Sequence, residues 1–312
     1  MGRPTLVTGA AGFAGGHLLD ALARDGIETV AWHRPGGSPP REVPGVTWEA
    51  VDLLDRHAVG RAVGSIHPAA VYHCAGAAHV GRSWRGSEQT FAVNVLGTHH
   101  VIEGLRETAA DARLLIPSSA MVYAAANEPL TEDHALVPSS PYGLSKLAQE
   151  MAGRDNGRAP AAFVARPFNH FGARQDPWFV TSGFAQRIAD IEAGRRDPVL
   201  SVGNLEARRD LTDVRDVVRA YRLIVEHGTP ERPYNVCSGR AIAIRDLLDL
   251  FLSRARVRIE VAIDPARYRP NDLPLVVGDP SRIGSELGWA PIVPMEQTVD
   301  ELLEYWRRLQ PA

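Results

Sequence analysis

Residues 5–15 read Thr-Leu-Val-Thr-Gly-Ala-Ala-Gly-Phe-Ala-Gly, a short apolar run that leads directly into three regularly spaced glycines. The apolar run predicts a strand, and the residues that follow predict a helix to about Ala23. Gly9, Gly12 and Gly15 would allow a tight turn, close approach of the backbone to a pyrophosphate, and close packing of helix on strand. Such glycines can also form a simple turn. A strand before them and a helix after them favour a nucleotide site, with the helix N-terminus facing the phosphates.

The end of the next predicted strand, at residues 28–32, bears on which dinucleotide would bind. An NAD site commonly has Asp or Glu about 20 residues after the glycines to bind the ribose 2′-hydroxyl. This chain has His33 and Arg34 there. A cation suits the 2′-phosphate of NADP, although a solvated arginine in a Gly- and Pro-rich loop would look the same. We therefore expect NADP(H) to be preferred and leave NAD(H) open.

Further strands are predicted at 46–51, 70–76, 113–116 and 161–166, with helical segments between several of them. This alternation predicts an α/β fold of the Rossmann type, a doubly wound parallel sheet. Ligands of such sheets bind beyond the carboxyl ends of the strands. Asp52 follows one of these ends and could accept a hydrogen bond from an adenine amino group. Small residues end the strand at 70–76 and would let a cofactor lie against it.

The chain becomes less regular and richer in arginine after Pro167. Helices are predicted near 179–193, 213–227, 244–253 and 295–308, and a strand at 233–237 is predicted to return to the main sheet. We expect two domains. Residues 1–166 and about 213–238 would form the dinucleotide-binding domain. Residues of about 167–212 and 239–312 would form a smaller, discontinuous substrate domain.

Composition narrows the function classes. The 312 residues carry a net charge of −3, so no broad basic surface for nucleic acid is expected. The sequence has no apolar run near 18 residues and no signal peptide, which predicts a cytoplasmic protein without membrane contact. Cys74 and Cys237 lie in apolar, strand-like runs typical of buried free thiols in a reducing compartment. We expect no metal site.

Lysine use singles out one position. All but one of the 34 basic residues are arginines, and the exception is Lys146. Arginine is planar and always charged, whereas lysine is a compact point charge, so this position needs an ammonium. Lys146 follows Tyr142 by four residues, which places both on one face of a helix. A nearby ammonium would lower the pKa of Tyr142 and make it a usable proton donor and acceptor. A surface Tyr–Lys pair on an ordinary helix is the alternative.

The helix that carries this pair is predicted over residues 141–153. Ser139 or Ser140 can cap it, and Pro141 suits its first position. Ser119, at the end of the strand before it, could hydrogen-bond a substrate oxygen beside the tyrosine. A serine at a strand end is otherwise a common turn former.

The glycine turn, Ser119 and the Tyr142-x-x-x-Lys146 pair together resemble the extended short-chain dehydrogenase/reductase family that acts on nucleotide sugars. The resemblance covers essentially the whole chain. It implies that Tyr142 is the acid/base, that Lys146 binds the nicotinamide ribose and lowers the pKa of Tyr142, and that Ser119 orients the sugar oxygen. It also implies that Asn94 holds the active-site architecture. The cofactor contacts that we expect are Gly9, Gly12, Phe13, Ala14, Gly15, His33, Arg34, Asp52, Leu53, Ala75, Asn94, Tyr142 and Lys146.

The second half resembles the same family. Residues 166–170, Arg-Pro-Phe-Asn-His, are similar to the segment whose Asn contacts the substrate diphosphate, and residues 203–210 to a phosphate-binding stretch. Guanidinium forks suit a diphosphate, which favours phosphate binding; surface ion pairs of these arginines are the alternative. Leu200 and Val202 fall where members of the family pack the nucleotide base. The substrate contacts implied are Ser119, Asn169, Leu200, Val202, Arg209, Arg269 and Asp272.

The residues directly after Ser119 distinguish between the reactions that members of the family catalyse. Dehydratases of the family resemble one another in a Thr-x-Glu-x-Tyr pattern, whose Glu takes part in eliminating water. This chain has Met121 at the Glu position, which carries no proton, so dehydration and decarboxylation are disfavoured.

The segments at 166–170 and 203–216 most resemble reductases that convert a GDP-4-keto-6-deoxyhexose to GDP-rhamnose or GDP-6-deoxy-talose. A nucleotide-sugar 4-epimerase with tightly held NAD remains the alternative, and Arg34 favours the reductase. A non-catalytic NADP-binding regulatory protein is a third candidate, against which the intact Ser119, Tyr142 and Lys146 argue. By family analogy, helices at about 87–109 and 140–154 would pair in a four-helix homodimer interface.

Overall fold

The computed structural model describes residues 2–37, 41–154, 159–268 and 273–309. Its strands are β1 (Thr5–Thr8), β2 (Thr29–His33), β3 (Val46–Ala50), β4 (Ala70–His73), β5 (Arg113–Pro117), β6 (Ala161–Pro167), β7 (Asn169–Phe171), β8 (Val199–Val202), β9 (Arg208–Asp213), β10 (Pro233–Val236), β11 (Ala241–Ala243), β12 (Glu260–Ile263) and β13 (Leu275–Val276). Its α-helices are α1 (Phe13–Arg24), α2 (Arg56–Ile66), α3 (Val80–Ser83), α4 (Ser87–Phe91), α5 (Gly97–Thr108), α6 (Pro141–Gly153), α7 (Val180–Glu192), α8 (Val214–His227), α9 (Ile244–Leu252), α10 (Ser281–Leu287) and α11 (Met295–Arg308).

The central sheet has seven strands in the order β10-β6-β5-β4-β1-β2-β3. Each neighbouring pair is parallel. The strand order reverses between β1 and β4, and ligands of such sheets bind at this point, beyond the carboxyl ends of the strands. The predicted Rossmann-type α/β class is confirmed, as is the predicted return of the strand at 233–236 to this sheet.

Both faces of the central sheet are covered by helices, so its inner strands carry apolar residues on both faces. On β1, Val7 packs with α1 and α8 on one face, and Leu6 packs with α2 and α5 on the other. A strand buried on both faces loses the alternation of polar and apolar residues. This arrangement fixes the carboxyl edge of the sheet, where the glycine turn and α6 meet.

The residues beyond the central sheet form smaller sheets around a second core. Strands β7, β9, β11 and β13 make one sheet, and β8 pairs with β12. The core between them and the helices includes Phe184, Leu247 and Leu302. The division into two domains with the boundaries given above stays a prediction.

Some elements differ from the sequence expectation. The helix predicted over about 87–109 is interrupted by a π-helical turn at Ala92–Leu96, between α4 and α5. Helix α2 was not predicted, because only Val59 and Val63 bury a side chain on it. Among the described helices, none is both long and apolar enough to cross a membrane. The described residues also contain no group of His, Cys, Asp or Glu arranged to hold a metal ion.

Candidate active site

The glycine turn joins β1 to α1 and packs against the end of β4. Gly9 has a φ of +64°, and a Cβ on it would lie 2.5 Å from the Cα of Ala75. Gly12 caps α1, no side chain caps that helix end, and no acidic residue lies in its first turn. The N–H groups at the start of α1 are therefore oriented to bind an anion. The turn fits the pyrophosphate of a dinucleotide.

The end of β2 carries no carboxylate. His33 lies there with its ring 6.1 Å from the Trp48 ring, and Arg34 follows with an exposed side chain. Asp52 is exposed after β3, and its Oδ1 accepts a hydrogen bond from the Leu54 N–H at 3.0 Å. Leu53 packs against Gly97 at the start of α5, beside Asp52.

Helix α6 begins as the sequence predicts. Ser140 is the cap, its Oγ accepting from the Gly143 N–H at 3.1 Å, and Pro141 occupies the first turn. Tyr142 and Lys146 lie on one face and are 8% and 7% exposed. The pair is therefore buried at the carboxyl edge of the central sheet and is not a surface pair.

Lys146 binds the backbone at the end of β5. Its Nζ donates to the Pro117 carbonyl at 2.8 Å and lies 5.9 Å from the centre of the Tyr142 ring. Gly76 lies beside it: a Cβ there would touch Nζ at 3.7 Å and would crowd Asn94 Oδ1 at 2.9 Å. The ammonium is thus held between the ends of β4 and β5.

The pKa values of the pair differ from the sequence expectation. Burial raises the pKa of Tyr142 to about 12, against a lowering effect of its hydrogen bond with Ser119. Burial lowers the pKa of Lys146 to about 8, against the raising effects of Cys74 and Glu150. The expectation that Lys146 lowers the Tyr142 pKa towards neutrality is wrong for this arrangement, because burial dominates and Nζ is bonded to Pro117. Tyr142 is consequently protonated at neutral pH.

Ser119 lies at the end of β5 and starts a short 3-10 turn, Ala120–Val122. Its Oγ accepts from the Met121 N–H at 3.1 Å and hydrogen-bonds Tyr142. The serine hydroxyl and the tyrosine phenol are therefore adjacent. An oxygen placed between them would meet two hydroxyl donors.

Asn94 lies in the π-helical turn and is completely buried. Its Oδ1 accepts from the Ala77 N–H at 2.7 Å, and its Nδ2 donates to Ser145 Oγ at 2.9 Å. Ser145 in turn donates to the Tyr142 carbonyl at 2.7 Å. Asn94 thus ties the loop after β4 to α6, and the π-helical turn, a frequent feature of functional sites, contains it.

Sequence reasoning missed a buried histidine beside Asn94. His73 contacts Thr8 Oγ1 at 2.8 Å and Thr98 Oγ1 at 2.9 Å. The Thr98 hydroxyl donates to the Asn94 carbonyl at 2.6 Å, so His73 Nε2 is the donor to Thr98. Burial lowers the His73 pKa to about 3 and keeps the ring neutral. No spacing in the sequence indicates this contact.

Sequence reasoning also missed Ser83 on α3. Its Oγ accepts from the Tyr142 N–H at 3.2 Å, which satisfies a free donor at the start of α6. The loop after β4 therefore supports the catalytic helix at a second point.

The predicted substrate residues are spread along the second core. Asn169 is exposed on β7, and Arg209 is half-buried on the neighbouring β9, with its side chain donating to the Arg208 carbonyl at 2.8 Å. Leu200 and Val202 are 0% and 2% exposed within the second core, so the structure gives no support for a base packing on their side chains. The predicted contacts Arg269 and Asp272 lie outside the described residues.

The segment around Asn169 also contacts the glycine turn. The His170 ring stacks on Phe13 at 5.8 Å with an interplanar angle of 4°. His17 contacts the Ala173 carbonyl at 2.8 Å, and Arg174 pairs with Asp20 at 2.6 Å. Helix α1 is therefore attached to the segment that carries a predicted diphosphate ligand.

The fold and this site define the class of protein. A glycine turn at the topological switch point, with a buried Ser–Tyr–Lys set at the carboxyl edge, is the arrangement of a nicotinamide-dependent enzyme of the extended short-chain dehydrogenase/reductase class. The family model described as GDP-mannose 4,6 dehydratase matches residues 6–302, and the chain belongs to this family.

Individual relatives within this class differ in reaction. The chain is 34% identical to a GDP-6-deoxy-D-mannose reductase of Pseudomonas aeruginosa over 98% of each chain. It is 29% identical to a UDP-glucose 4-epimerase of Bacillus subtilis over 91% of each. Among solved structures it is similar to RMD from Pseudomonas aeruginosa complexed with NADPH, with a TM-score of 0.84 and 31% identity, covering 98% of this chain and 99% of that one.

Proposed function

We propose that the protein is an NADPH-dependent reductase of the 4-keto group of a GDP-4-keto-6-deoxyhexose, forming GDP-rhamnose or GDP-6-deoxy-talose. The observation that carries the proposal is a protonated Tyr142, hydrogen-bonded to Ser119 and beside the single lysine, with Met121 at the position of the dehydratase glutamate. The similarity to a GDP-6-deoxy-D-mannose reductase supports the GDP-linked substrate.

The residues of the site have distinct parts in this reaction. Bound NADPH supplies the hydride. Ser119 orients the keto oxygen, and Tyr142 gives its phenolic proton to that oxygen as negative charge develops on it. Lys146 holds the nicotinamide ribose through its ammonium, which Pro117 already orients. Asn94 keeps α6 and the loop after β4 in register.

Met121 restricts the chemistry. Elimination of water from a hexose needs a group that removes a proton from carbon, and a thioether carries no proton and is a poor base. Its N–H is bonded to Ser119, so its side chain starts next to the reacting centre. Membership of a dehydratase family therefore gives the scaffold, and residue 121 excludes the elimination step.

Asn169 and Arg209 are proposed to bind the substrate diphosphate. They lie on neighbouring strands, and a guanidinium can bind phosphate oxygens with two parallel hydrogen bonds. Arg269 and Asp272 are proposed to reach the nucleotide from the segment that follows β12.

A 4-epimerase is the second candidate, favoured by the similarity to UDP-glucose 4-epimerases. An epimerase would purify with NAD bound and would need none added. A reductase would purify without it and would consume NADPH stoichiometrically with the keto sugar. Two measurements separate them: whether NAD is released when the purified protein is denatured, and whether absorbance at 340 nm falls when NADPH and the keto sugar are added.

One experiment tests the function directly. The protein is incubated with GDP-4-keto-6-deoxymannose and NADPH, and the product is identified by NMR, with Tyr142→Phe as the matched inactive control. A GDP-6-deoxyhexose with a C4 hydroxyl is the expected product. Return of unchanged substrate with no NADPH oxidised would overturn the proposal.

The cofactor preference is tested at the end of β2. Arg34 is exposed there and no carboxylate accompanies it. We predict that Arg34→Asp raises the KM for NADPH at least about 10-fold and that for NADH much less, because a charge-assisted bond to the 2′-phosphate is lost and repulsion is added. Equal changes in both KM values would contradict this role, and Arg24→Asp, at the end of α1, is the control.

The proposed assembly is a homodimer that pairs α5 and α6 of two copies. The exposed apolar residues on these helices support it: Leu144 and Met151 on α6 are 48% and 66% exposed, and Leu96 before α5 is 46% exposed. A second copy would cover a patch of this kind. The free thiols Cys74 and Cys237 suit a cytoplasmic location, which we propose with the dimer.

A further inference from the structure

A fully buried ion pair lies one helical turn beyond the catalytic lysine. Glu150 on α6 is 0% exposed, and Arg166 at the end of β6 is 1% exposed. The pair is bidentate: Arg166 Nε donates to Oε1 at 2.9 Å and one terminal nitrogen donates to Oε2 at 2.7 Å. Arg166 begins the Arg-Pro-Phe-Asn-His segment, and its role was not assigned by the sequence.

The remaining nitrogen of Arg166 extends the contacts to the turn that starts at Ser119. It donates to the Tyr123 hydroxyl at 2.9 Å and to the Glu132 carbonyl at 3.2 Å. Tyr123 directly follows that turn, and its hydroxyl donates to Asn235 Oδ1 at 2.6 Å. We call Arg166, Glu150, Tyr123, Asn235 and Glu132 the Arg166 cluster.

The cluster therefore joins the three segments that carry the functional groups. Glu150 shares α6 with Tyr142 and Lys146, Tyr123 lies four residues after Ser119, and Arg166 lies three residues before Asn169. The four hydrogen bonds of the guanidinium go to Glu150 on α6, to the Tyr123 hydroxyl and to the Glu132 carbonyl. A lysine has one nitrogen and would not reach both Glu150 and Tyr123.

Stability alone does not explain such a pair. The desolvation cost of two buried charges roughly cancels their attraction, and apolar residues of similar volume often serve as well. Burial by itself lowers the pKa of Arg166, but its hydrogen bonds and charge interaction with Glu150 outweigh this effect and raise the pKa, so the guanidinium stays charged. Glu150 also raises the pKa of Lys146.

We propose that Arg166 and Glu150 are positioning residues: their buried pair holds the Ser119 turn against α6 and so sets the placement of Ser119 relative to Tyr142. The proposal rests on the proposed reductase function of this site. It assigns neither residue a contact with substrate or cofactor. A displacement of about 1 Å at reacting groups can reduce turnover about 100-fold, so loss of the buried pair should lower kcat measurably.

The test uses a double variant, Arg166→Met with Glu150→Met, which removes both charges and leaves neither unpaired. We expect kcat to fall about 10- to 100-fold, with KM for NADPH and for the keto sugar within about twofold. The alkaline limb of the kcat/KM profile should move to lower pH, because the variant removes the Glu150 charge that raises the pKa of Lys146. Wild-type kcat and an unmoved limb would overturn the proposal.

The matched control is Arg154→Gln. Arg154 contacts the same Glu150 oxygen at 3.3 Å, but its side chain is 37% exposed and reaches neither Tyr123 nor β6. It should leave kcat and the pH profile unchanged. If Arg154→Gln reproduced the effect of the double variant, loss of any cation beside Glu150 would be sufficient, and the proposed role of the Arg166–Glu150 pair would be overturned.

A second variant keeps the proposal testable if the double variant fails to fold. Tyr123→Phe leaves the ion pair and the ring in place and removes the hydroxyl that accepts from Arg166 and donates to Asn235. We expect a several-fold loss of kcat and faster amide hydrogen exchange in a peptide covering residues 117–126. The exchange measurement is independent of activity. An inactive wild type would therefore refute the reductase function but would say nothing about the positioning role of the Arg166–Glu150 pair. Unchanged exchange in Tyr123→Phe would refute the proposal that the Arg166–Glu150 pair holds the Ser119 turn.

Discussion

Lys146 is a position where the shape of the cation matters as well as its charge. Its Nζ lies in a narrow space between Pro117 and Gly76, 2.8 Å from the Pro117 carbonyl. A guanidinium is wider and planar and would displace Tyr142 or the cofactor ribose. We predict that Lys146→Arg lowers kcat about 100-fold although the charge is kept.

The pH dependence gives this prediction a second measurement. In the free enzyme the lowered pKa of Lys146, about 8, should end the pH range of high kcat/KM, because the ammonium is lost above that pH. Arginine does not lose its proton in this range. Lys146→Arg should therefore abolish this alkaline limb, and wild-type turnover with the limb intact would mean that Lys146 is an ordinary buried cation.

Tyr142 is predicted to be the proton donor. Tyr142→Phe keeps the buried ring and removes the hydroxyl that bonds Ser119. We expect turnover to fall at least about 100-fold, the usual lower scale for a general acid, with both KM values largely kept. Tyr305→Phe on α11 is the control in steady-state assays. Near-normal turnover of Tyr142→Phe would assign the proton to another group or to water.

At this scale the sequence predicts the reacting groups better than their surroundings. The spacing of Tyr142 and Lys146 follows from helix geometry and needs no tertiary information. The supporting contact of Ser83 joins residues 59 positions apart, and that of His73 to Thr8 joins residues 65 apart. No local pattern encodes such pairs, and the direction of the Tyr142 pKa shift depended on burial that only the folded chain supplies.

Helix α6 and the turn before α5 expose large apolar side chains: Leu144, Met151 and Leu96. We predict that Leu144→Glu converts a dimer into a monomer at micromolar concentration, because a charge would be buried in the proposed interface. Light scattering after size-exclusion chromatography measures the mass. Val137→Glu, 61% exposed and outside these helices, should leave the mass unchanged. A wild-type monomer would refute the proposed assembly.

How well a helix or strand could be predicted from the sequence depended on the signals at its two ends. Helix α6 has a serine cap and a proline in its first turn, and its observed limits equal the predicted ones. The π-helical turn around Asn94 carries no such signal. Strands β7, β11 and β13 have two or three residues each, too few for a periodicity to be read.

The whole molecule should lose stability in mild acid. Burial lowers the pKa of His17 to about 4 and of His73 to about 3, and it lowers that of His170 as well. Below about 6.5 the unfolded chain binds protons that the folded chain does not, so the free energy of unfolding falls as pH falls. We predict a loss of about 2 kcal/mol from each of His17 and His73 between pH 7.5 and 5.0, measured by urea unfolding. His170 should add to this loss.

A variant isolates one histidine of this set. His17→Gln no longer titrates but keeps a donor for the Ala173 carbonyl. It should reduce the stability difference between the two pH values by about 2 kcal/mol. His227→Gln, on an exposed surface, is the control. An unchanged difference in His17→Gln would place the acid sensitivity elsewhere.

The strand order of the central sheet also has a consequence for synthesis of the chain. β6 ends at Pro167, but its outer neighbour β10 begins only at Pro233. At 5–20 residues per second, a ribosome would leave the outer edge of β6 without its partner for roughly 3 to 13 seconds. An apolar edge exposed for that time is a template for pairing with other chains. The growing polypeptide is therefore most prone to aggregate between these two strands, and a chaperone that acts during translation would protect it most at that stage.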